Sequence, residues 1–337
     1  MPEEVGALSK VRIIDLTDER AIYGAKLLAD LGADVVRPEP PEGDPLRRRG
    51  PFCNDDPDQP SLWHAFFASN RRFISLDLET QTGLDQLTGL IANAEIVLVS
   101  EGAFGTSDLD FDVAMRANPA LVWVECSSFG SEGPWKDYLA PDLVAGALGG
   151  SVSTTGDVDT PPLKAFGDLN FVVSGCYAAI AALSALYHAK ETGQGQRVDV
   201  PVHQCIASCL EHVFMWYWYS DLLGPARGRA LERRGSLHWS NMYVVMQAVG
   251  GTIMVTPTPD IDAQLTWLIE ADEFEDLFEP EFQDPANQAQ FMARLMEVLR
   301  TFVGSKDVEA LFLEAQSRHA PYGWVLPIEK VGENPQL

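Results

Sequence analysis

The sequence is poor in positive charge. Its 337 residues include 24 lysines and arginines against 49 aspartates and glutamates, which gives a formal net charge of −25. A surface this acidic repels nucleic acid and anionic lipid at long range, so we expect neither as a partner. A small anionic ligand needs only a local basic pocket and is compatible with this composition.

Cysteine and histidine are scarce and scattered as well. The five cysteines form no CxxC pair, the six histidines form no ligand cluster, and HExxH, GxSxG and P-loop motifs are absent. Cys205 and Cys209 lie four residues apart in a predicted helix, where core packing explains both. The sequence therefore argues against a zinc enzyme or a serine hydrolase, and we expect no metal site.

A long uninterrupted apolar run is absent too, and we expect no leader peptide. The first residues, MPEEVGALSK, lack the apolar core of a signal peptide. The most apolar stretch, 171–187, is interrupted by Ser174, Gly175 and Cys176, so it predicts a buried helix rather than a membrane span. We therefore expect a reduced, cytoplasmic, soluble protein without a membrane partner.

What the sequence does contain is an alternation of strand and helix patterns. VRIIDL (11–16) predicts a buried strand, 20–31 predicts an amphipathic helix that stops at Gly32, and ADVVRPE predicts the next strand. About five such strand–helix units precede residue 130, and a long helix over 171–190 and a strand RVDVPV follow. This rhythm is typical of a parallel α/β sheet, although the dinucleotide-binding motif GxGxxG is absent after the first strand.

The later part of the chain carries different patterns. Residues 202–223 predict one further helix rich in aromatic side chains, which we interpret as core or interface packing. Beyond a Gly- and Arg-rich linker, a Gly250-Gly251 turn joins two predicted strands. Helical patterns follow at 261–278, 287–303 and 306–319. The predicted domains are a large α/β domain (1–223), a linker (224–236) and a small α+β domain (237–337).

Asp168, in KAFGDLNF, is the most informative acidic residue. It follows Gly167 and precedes the nearly uncharged helical run 169–187. A carboxylate in this position is either a plain N-cap or a nucleophile beside free backbone N–H groups, which can stabilise an oxyanion. The residues alone leave both interpretations open.

A basic turn stands out in this acidic chain. The segment PPEGDPLRRRGPF contains Arg47, Arg48 and Arg49 in succession. Arginine binds phosphate in a bidentate manner and stacks on adenine, so these side chains fit a phosphate contact. They fit a solvated loop equally well.

Seven segments together resemble one known family. In chain order they are IDLTDERAIYGAKLLADLGADVVRPEPPEGDPLR, SNRRFISLDL, NPALVWVECSSFGSEGPW, PDLVAGALGG, TPPLKAFGDLNF, HAKETGQGQRVDV and HAPYGWVLPIEKVGENPQL. Each is weakly specific, but their joint order resembles the class III coenzyme A transferases, the CaiB/BaiF family, over nearly the whole chain.

The resemblance implies both a fold and a reaction. The expected fold is a Rossmann-like large domain with a smaller α+β domain, in two chains interlinked as a homodimer. The expected reaction moves coenzyme A from an acyl-CoA donor to a carboxylic acid, with acyl-CoA as substrate and no permanently bound cofactor. Asp168 falls on the family's nucleophile, which forms an aspartyl-acyl anhydride and then an aspartyl-CoA thioester.

The resemblance also implies where coenzyme A is bound. The positions lie after the first strand, on the NRR step, in the GDPxR turn and after the fourth strand: Arg20, Ala21, Arg47, Asn70, Arg71, Arg72 and Ser100. Ser100 and Glu101 replace the family's usual asparagine and aromatic residue, and we expect Glu101 to repel phosphate.

Other departures narrow the function. Pro141 stands where the racemase branch has histidine, and Val244 stands near the place of its glutamate, which argues against a racemase. The glycine-rich loop of the formyl-CoA transferase branch is reduced to Gly235, so oxalate and formyl substrates are not supported. The family's C-terminal return segment is expected to be missing, because the sequence stops at Leu337.

Two alternatives accompany the transferase hypothesis. One is an acyl-CoA racemase or isomerase of the same fold, which needs an acid–base pair at the substrate carbon. The other is a non-catalytic subunit of a heteromeric CoA transferase, which binds an active paralogue. The aromatic run 214–219 weakly favours a bulky acyl group.

Overall fold

The computed structural model describes residues 6–103, 109–157, 159–223, 233, 244–257 and 260–337. The chain divides into two compact units. The first comprises Met1–Thr155 with Pro162–Leu231, and the second comprises Gly156–Pro161 with Glu232–Leu337. The predicted linker, 224–236, lies outside the described residues except for Arg233, so the predicted domain boundaries stay predictions.

The first unit alternates strands and helices, as the patterns predict. Its strands are Arg12–Leu16 (β1), Asp34–Glu39 (β2), Arg72–Ser75 (β3), Ile96–Ser100 (β4), Val122–Ser127 (β5) and Gln196–Pro201 (β6). Its helices are Ile22–Asp30 (α1), Leu62–Phe67 (α2), Gln81–Ala92 (α3), Phe111–Ala117 (α4), Asp142–Leu148 (α5), Ser151–Thr154 (α6), Leu169–Thr192 (α7), Val202–Ser208 (α8), Glu211–Trp218 (α9) and Ser220–Leu223 (α10).

The six strands form one parallel sheet in the order β3-β2-β1-β4-β5-β6. Successive side chains of a strand point to opposite sides of the sheet, and helices cover both sides. Ile13, Val35 and Ile96 pack with α1 and α7 on one face, whereas Ile14 and Val36 pack with α3 and α4 on the other. The connections reverse direction between β1 and β4, so the predicted Rossmann-like parallel sheet is confirmed.

Helix α7 is the longest described helix and packs against α1 and the sheet. Among the described residues it is the one helix long and apolar enough to cross a membrane, and half of its apolar window is buried. A Cβ on Gly24 of α1 would lie 2.5 Å from the carbonyl oxygen of Gly175 in α7. The two backbones are therefore in direct contact, and α7 is a core helix of this unit, as predicted.

The predicted single helix over 202–223 is wrong. The structure has three short helices there, separated at Leu210, whose φ of −106° and ψ of 35° are not helical, and again at Tyr219. No glycine or proline marks either break. Tyr217 and Trp218 are exposed, so core packing does not explain them, and the interface interpretation stays a prediction.

The second unit is a small antiparallel sheet covered by helices, which confirms the predicted α+β class. Its strands are Val244–Ala248 (β7), Gly251–Val255 (β8) and Gly323–Trp324 (β9), and its helices are Ile261–Glu270 (α11), Gln288–Gly304 (α12), Val308–Ser317 (α13) and Ile328–Gly332 (α14). β7 and β8 form the predicted hairpin, while β9 was not predicted. α11 is shorter than predicted because Asp272 and Glu275 have left-handed backbone conformations, with φ of 57° and 48°.

Candidate functional site

The carboxyl ends of β1 and β4 meet at the point where the sheet's connections reverse. In sheets of this order, ligands bind in the crevice outside the carboxyl ends at that point. The backbone N–H of Asp18 donates to Ser100 Oγ at 3.0 Å. The Arg20 guanidinium donates to the Asp18 carboxylate and to the backbone oxygen of Glu101. Three of the predicted coenzyme A contacts, Arg20, Ala21 and Ser100, are thus brought together.

The opposite edge of the sheet holds two other predicted contacts. Arg72 begins β3 and pairs with Asp34 at the start of β2. Asn70 Nδ2 donates to Asp30 Oδ1 at 2.7 Å, at the end of α1. The structure does not bring Asn70 or Arg72 to the carboxyl edge, and their role in binding coenzyme A stays a prediction.

Arg71 is part of a buried ion network, which we define as Asp15, Arg37, Asp44 and Arg71. Asp15 Oδ2 lies 3.0 Å from Arg37 Nη1 and 3.2 Å from Arg71 Nη1, and Arg37 Nε lies 2.6 Å from Asp44 Oδ2. Burial alone would raise the pKa of Asp15, but the guanidinium groups of Arg37 and Arg71 outweigh it and lower this pKa. The Arg71 side chain has no exposed surface, so the network joins β1, β2 and the start of β3 from inside.

Arg47 lies in the turn that follows β2. Asp44 accepts a hydrogen bond from the backbone N–H of Leu46 at 2.9 Å and so caps this turn. Arg47 Nε donates to Glu39 at 2.9 Å, and its guanidinium carbon lies 4.8 Å from the Phe73 ring centroid. Its side chain is 43% exposed, so Arg47 is open to a ligand, as is its exposed neighbour Arg48.

The lining of a cleft beside β4 and β5 is acidic. This cavity of about 540 Å³ is lined in part by Glu101, Asp110 and Glu125, and its arginine, Arg197, already pairs with Glu125. Burial raises the pKa of Glu101, and neighbouring carboxylates add to the effect. Acidic surroundings of this kind disfavour a phosphate, and the expected effect of Glu101 on coenzyme A binding stays a prediction. The rest of the altered segment, 104–108, lies outside the described residues.

Asp168 occupies the N-terminus of α7 at the carboxyl side of the sheet. Helix α7 ends just before β6 begins, so its first residue lies at the opposite, carboxyl side. Ser174, six residues along α7, donates to the backbone oxygen of Arg20 at 2.5 Å. Six helical residues span about 9 Å, so Asp168 and the β1–β4 crevice lie on the same side of the unit.

The Asp168 side chain does not cap its own helix. It occupies the N-cap position but makes no side-chain capping hydrogen bond. Its carboxylate pairs instead with Arg49 Nη2, and both side chains are about 30% exposed, with 29% for Asp168 and 31% for Arg49. Of the two interpretations of Asp168, the plain N-cap is therefore wrong.

The cap of α7 comes from Asp142. This buried carboxylate accepts from the backbone N–H of Phe171 at 3.1 Å and from Asn170 Nδ2 at 2.8 Å. Lys164 Nζ lies 3.2 Å from the same carboxylate and also donates to the backbone oxygen of Gly167. Because Asp142 satisfies an N–H that an N-cap side chain would bind, the carboxylate of Asp168 is free to pair with Arg49.

Comparison with known proteins identifies the family. The family model "CoA-transferase family III" matches residues 8–337. The chain belongs to CoA-transferase family III. The predicted membership is thereby confirmed.

Two similar proteins carry the names of CoA-transferases. The chain is 34% identical to the succinyl-CoA:(R)-benzylsuccinate CoA-transferase subunit BbsE of Thauera aromatica, over 72% of this chain and 60% of that protein. It is 29% identical to the formyl-CoA:oxalate CoA-transferase of Streptomyces avermitilis, over 98% of this chain and 83% of that protein. The chain thus spans less than two thirds of the length of BbsE.

A solved family structure shows the same fold. The CaiB/BaiF family protein from Brucella suis superposes with a TM-score of 0.82 at 25% identity, covering 99% of this chain and 87% of that one. The family III fold predicted from sequence is confirmed by this match. The predicted interlinked dimer is not addressed by it and stays a prediction.

In this family III chain, the sequence did not predict the residues that contact Asp168 or cap its helix, because they lie far from it along the chain. Arg49 lies 119 positions from its partner, and its only sequence signal is the run of three arginines. Asp142 lies 29 positions from the N–H that it caps. Trp63, against which Arg49 stacks, gave no signal at all. The prediction about Gly235 lies outside the described residues.

We expect Asp142→Asn to disturb both the start of α7 and the orientation of Asp168. The new amide has one accepting oxygen, so it cannot serve both the Phe171 N–H on one side and Asn170 with Lys164 on the other. A buried donor therefore loses its partner, at a cost of about 1–3 kcal/mol of unfolding free energy. Asp168 is then free to turn back onto its own helix, and kcat is expected to fall as well. Chemical denaturation and steady-state kinetics measure the two effects.

The matched control is Asp110→Asn. Asp110 caps α4 with its own side chain, accepting from the backbone N–H of Asp112 at 2.8 Å. Its loss should affect stability by at most about 1 kcal/mol and leave kcat unchanged. An Asp142 variant that loses stability but keeps full kcat would contradict a positioning role.

Proposed function

We propose that this chain is a CoA transferase that moves coenzyme A from an acyl-CoA to a carboxylic acid, with Asp168 as nucleophile. The observation that carries the proposal is the release of the Asp168 carboxylate from helix capping by Asp142. A structural aspartate at a helix start would bind the helix, whereas this one leaves its helix uncapped and pairs with Arg49. The names of the relatives, which are CoA-transferases, support the same reaction class.

The start of α7 also offers donors for a developing negative charge. Among the described residues, no protein acceptor is recorded for the backbone N–H groups of Leu169 and Asn170. Groups of this kind at a helix N-terminus stabilise an oxyanion, such as the one formed when a carboxylate attacks a thioester. The nucleophile and its oxyanion donors therefore belong to one short segment.

The proposed reaction proceeds through two covalent forms of Asp168. Its carboxylate attacks the donor thioester carbonyl and expels coenzyme A thiolate, which gives an aspartyl-acyl anhydride. The thiolate attacks the aspartyl carbonyl, which releases the donor's acid and leaves an aspartyl-CoA thioester. The acceptor carboxylate attacks this thioester, and the expelled thiolate takes the acyl group from the new anhydride. This last step gives the new acyl-CoA and restores the free carboxylate of Asp168. The whole cycle transfers no net proton.

Coenzyme A is proposed to bind at the carboxyl edge of the sheet. Arg20, Ala21 and Ser100 lie at the β1–β4 crevice, and Arg47 is open in the turn after β2. Arg20 and Arg47 supply positive charge that the acidic chain otherwise lacks, and phosphate needs such local charge. The binding of coenzyme A as a substrate, without a permanently held cofactor, follows from this proposal.

A second candidate is a subunit of a heteromeric CoA transferase. It is favoured by the similarity to BbsE, whose name describes a subunit. In this role the chain binds a paralogous chain, whereas the transferase proposal implies a homodimer. The racemase alternative gains nothing, because Pro141 directly precedes α5 where a proton-transferring histidine is required.

Hydroxylamine trapping tests the proposal. The protein is incubated with acetyl-CoA, succinyl-CoA and phenylacetyl-CoA, treated with hydroxylamine and mapped by mass spectrometry. We expect a stable hydroxamate at Asp168 with at least one donor, because hydroxylamine attacks both covalent forms. The adduct should be absent in Asp168→Ala and retained in Asp58→Ala, an exposed control. A folded protein that gives no adduct with any donor would favour the non-catalytic subunit.

A further inference from the structure

Arg49 is held so that it faces Asp168. Its guanidinium carbon lies 4.5 Å from the centroid of the Trp63 ring, and Nη2 pairs with the Asp168 carboxylate. Stacking on an aromatic face fixes the plane of a guanidinium and leaves its edge for carboxylate recognition. Ser61, the N-cap of α2, donates to the backbone oxygen of Arg49, so the start of the helix that carries Trp63 also anchors Arg49.

Within the described part of the chain, Asp168 is the only ion-pair partner of Arg49. No other described carboxylate lies within salt-bridge distance of this guanidinium. The pair is also partly shielded, since less than a third of either side chain is exposed. A cation in such a place depends on its single partner, because an unpaired charge that is partly removed from water is costly.

The proposed reaction removes this partner in every turnover. In the anhydride and in the thioester, the side-chain carboxyl group of Asp168 is covalently bound and carries no charge. During these states the guanidinium of Arg49 has no carboxylate of the described chain to pair with. The acid released from the donor, and then the acceptor acid, each carry a carboxylate that must lie beside the same aspartyl carbonyl.

We propose that Arg49 binds the carboxylate of the acid substrate in the aspartyl-CoA form, in which Asp168 itself carries no charge. This inference rests on the proposed transferase function and deepens it by assigning the acid-binding residue. The positive charge alternates between two carboxylates, that of Asp168 in the free enzyme and that of the acid in the aspartyl-CoA form. One oxygen of the acid contacts the guanidinium while the other attacks the aspartyl carbonyl, which forms the new C–O bond as the C–S bond breaks.

An isotope-exchange assay tests this assignment. Acetyl-CoA, succinyl-CoA or phenylacetyl-CoA, whichever gives the hydroxamate in the wild type, is mixed with its own carbon-13-labelled acid, and the label entering the acyl-CoA is measured. In Arg49→Gln we expect the KM for the acid to rise about 10- to 100-fold, the range for loss of a charged hydrogen bond. The KM for the acyl-CoA should change by less than about twofold, because its thioester carries no charge at that point.

Two further variants complete the design. Arg49→Lys keeps the charge but not the planar group, so it should give an intermediate acid KM, and it keeps the test decisive if the glutamine variant fails to fold. Arg116→Gln removes an exposed arginine of α4 and should change neither KM. An Arg49→Gln protein that is acylated normally and shows an unchanged acid KM would overturn the assignment, whether or not kcat falls. A wild type that gives no hydroxamate would instead overturn the proposed function, and the inference with it.

Discussion

Replacing Asp168 with asparagine is expected to lower kcat for CoA transfer by at least about 10⁴-fold, as removal of a covalent nucleophile generally does. Asparagine has nearly the same shape but its amide does not form the anhydride. The same substitution should change thermal stability little, because the Asp168 side chain makes no capping hydrogen bond and the asparagine oxygen can still accept from Arg49. Activity lost without stability lost is the expected signature, measured by steady-state kinetics together with thermal unfolding.

The combination of the two measurements separates a nucleophile from a cap. A capping aspartate costs about 1 kcal/mol when removed and leaves the chemistry intact. Asp168→Glu is the conservative comparison: it keeps the carboxylate but moves it by one methylene, so it should retain some acylation by acyl-CoA. If Asp168→Asn instead lowered stability and kept most of its activity, the pairing of Asp168 with Arg49 rather than with its own helix would have no catalytic meaning.

Replacing Arg37 with methionine is expected to lower the free energy of unfolding by about 3–5 kcal/mol, the usual cost of breaking a buried ion pair. Arg37 is buried between Asp15 and Asp44, and its removal leaves both carboxylates in the interior with less compensation. Its own pKa is raised above the usual value, because the two carboxylates outweigh the effect of burial. Chemical denaturation measures the loss directly.

Arg72→Met is the matched control for that stability effect. It removes an arginine that also pairs with an aspartate, but its side chain is 65% exposed, so the expected loss is below about 1 kcal/mol. An equally small loss for Arg37→Met would contradict the central place of Arg37 in the buried ion network.

The pH dependence of stability gives an independent check on the same network. Asp15 and Asp44 have lower pKa values in the folded protein than an unfolded aspartate, which titrates near about 3.9. Their stabilisation is therefore complete above about pH 4 and is lost as the pH falls toward the folded-state pKa values. The wild type should lose stability in this acid range, and Arg37→Met should lose less, because the two aspartates are no longer held ionised.

The parallel sheet could be predicted because each strand is recognisable from its own short stretch of sequence. β1, β2, β4 and β5 are short apolar runs between turn residues, and burial on both faces keeps them apolar throughout. The elements that were missed depend on the rest of the fold. β9 has two residues and exists because β8 offers an edge, and the breaks in 202–223 involve no residue that disfavours a helix by itself.

The candidate site divides in the same way. Asp168 was found because a Gly-Asp step before an apolar helix is a local pattern that matches a family motif. The arginines of the NRR step could not be ranked from sequence, since adjacent residues at a strand start point to opposite sides. The structure places Arg71 inside the buried ion network and Arg72 at the far edge of the sheet. Only the folded structure shows that Arg49 is the partner of Asp168, because the two residues are 119 positions apart in the sequence.

The contact between α1 and α7 has a consequence for how such an enzyme can be changed. Gly24 lies four residues after Arg20, the proposed coenzyme A contact, and Gly175 lies seven after Asp168, the proposed nucleophile. The two helices that begin beside these residues meet backbone to backbone. There is no side chain between them to enlarge or trim. Backbone contact therefore sets the distance between α1 and α7. A preference for a longer or shorter acid has to arise from changes in the loops around the starts of these helices.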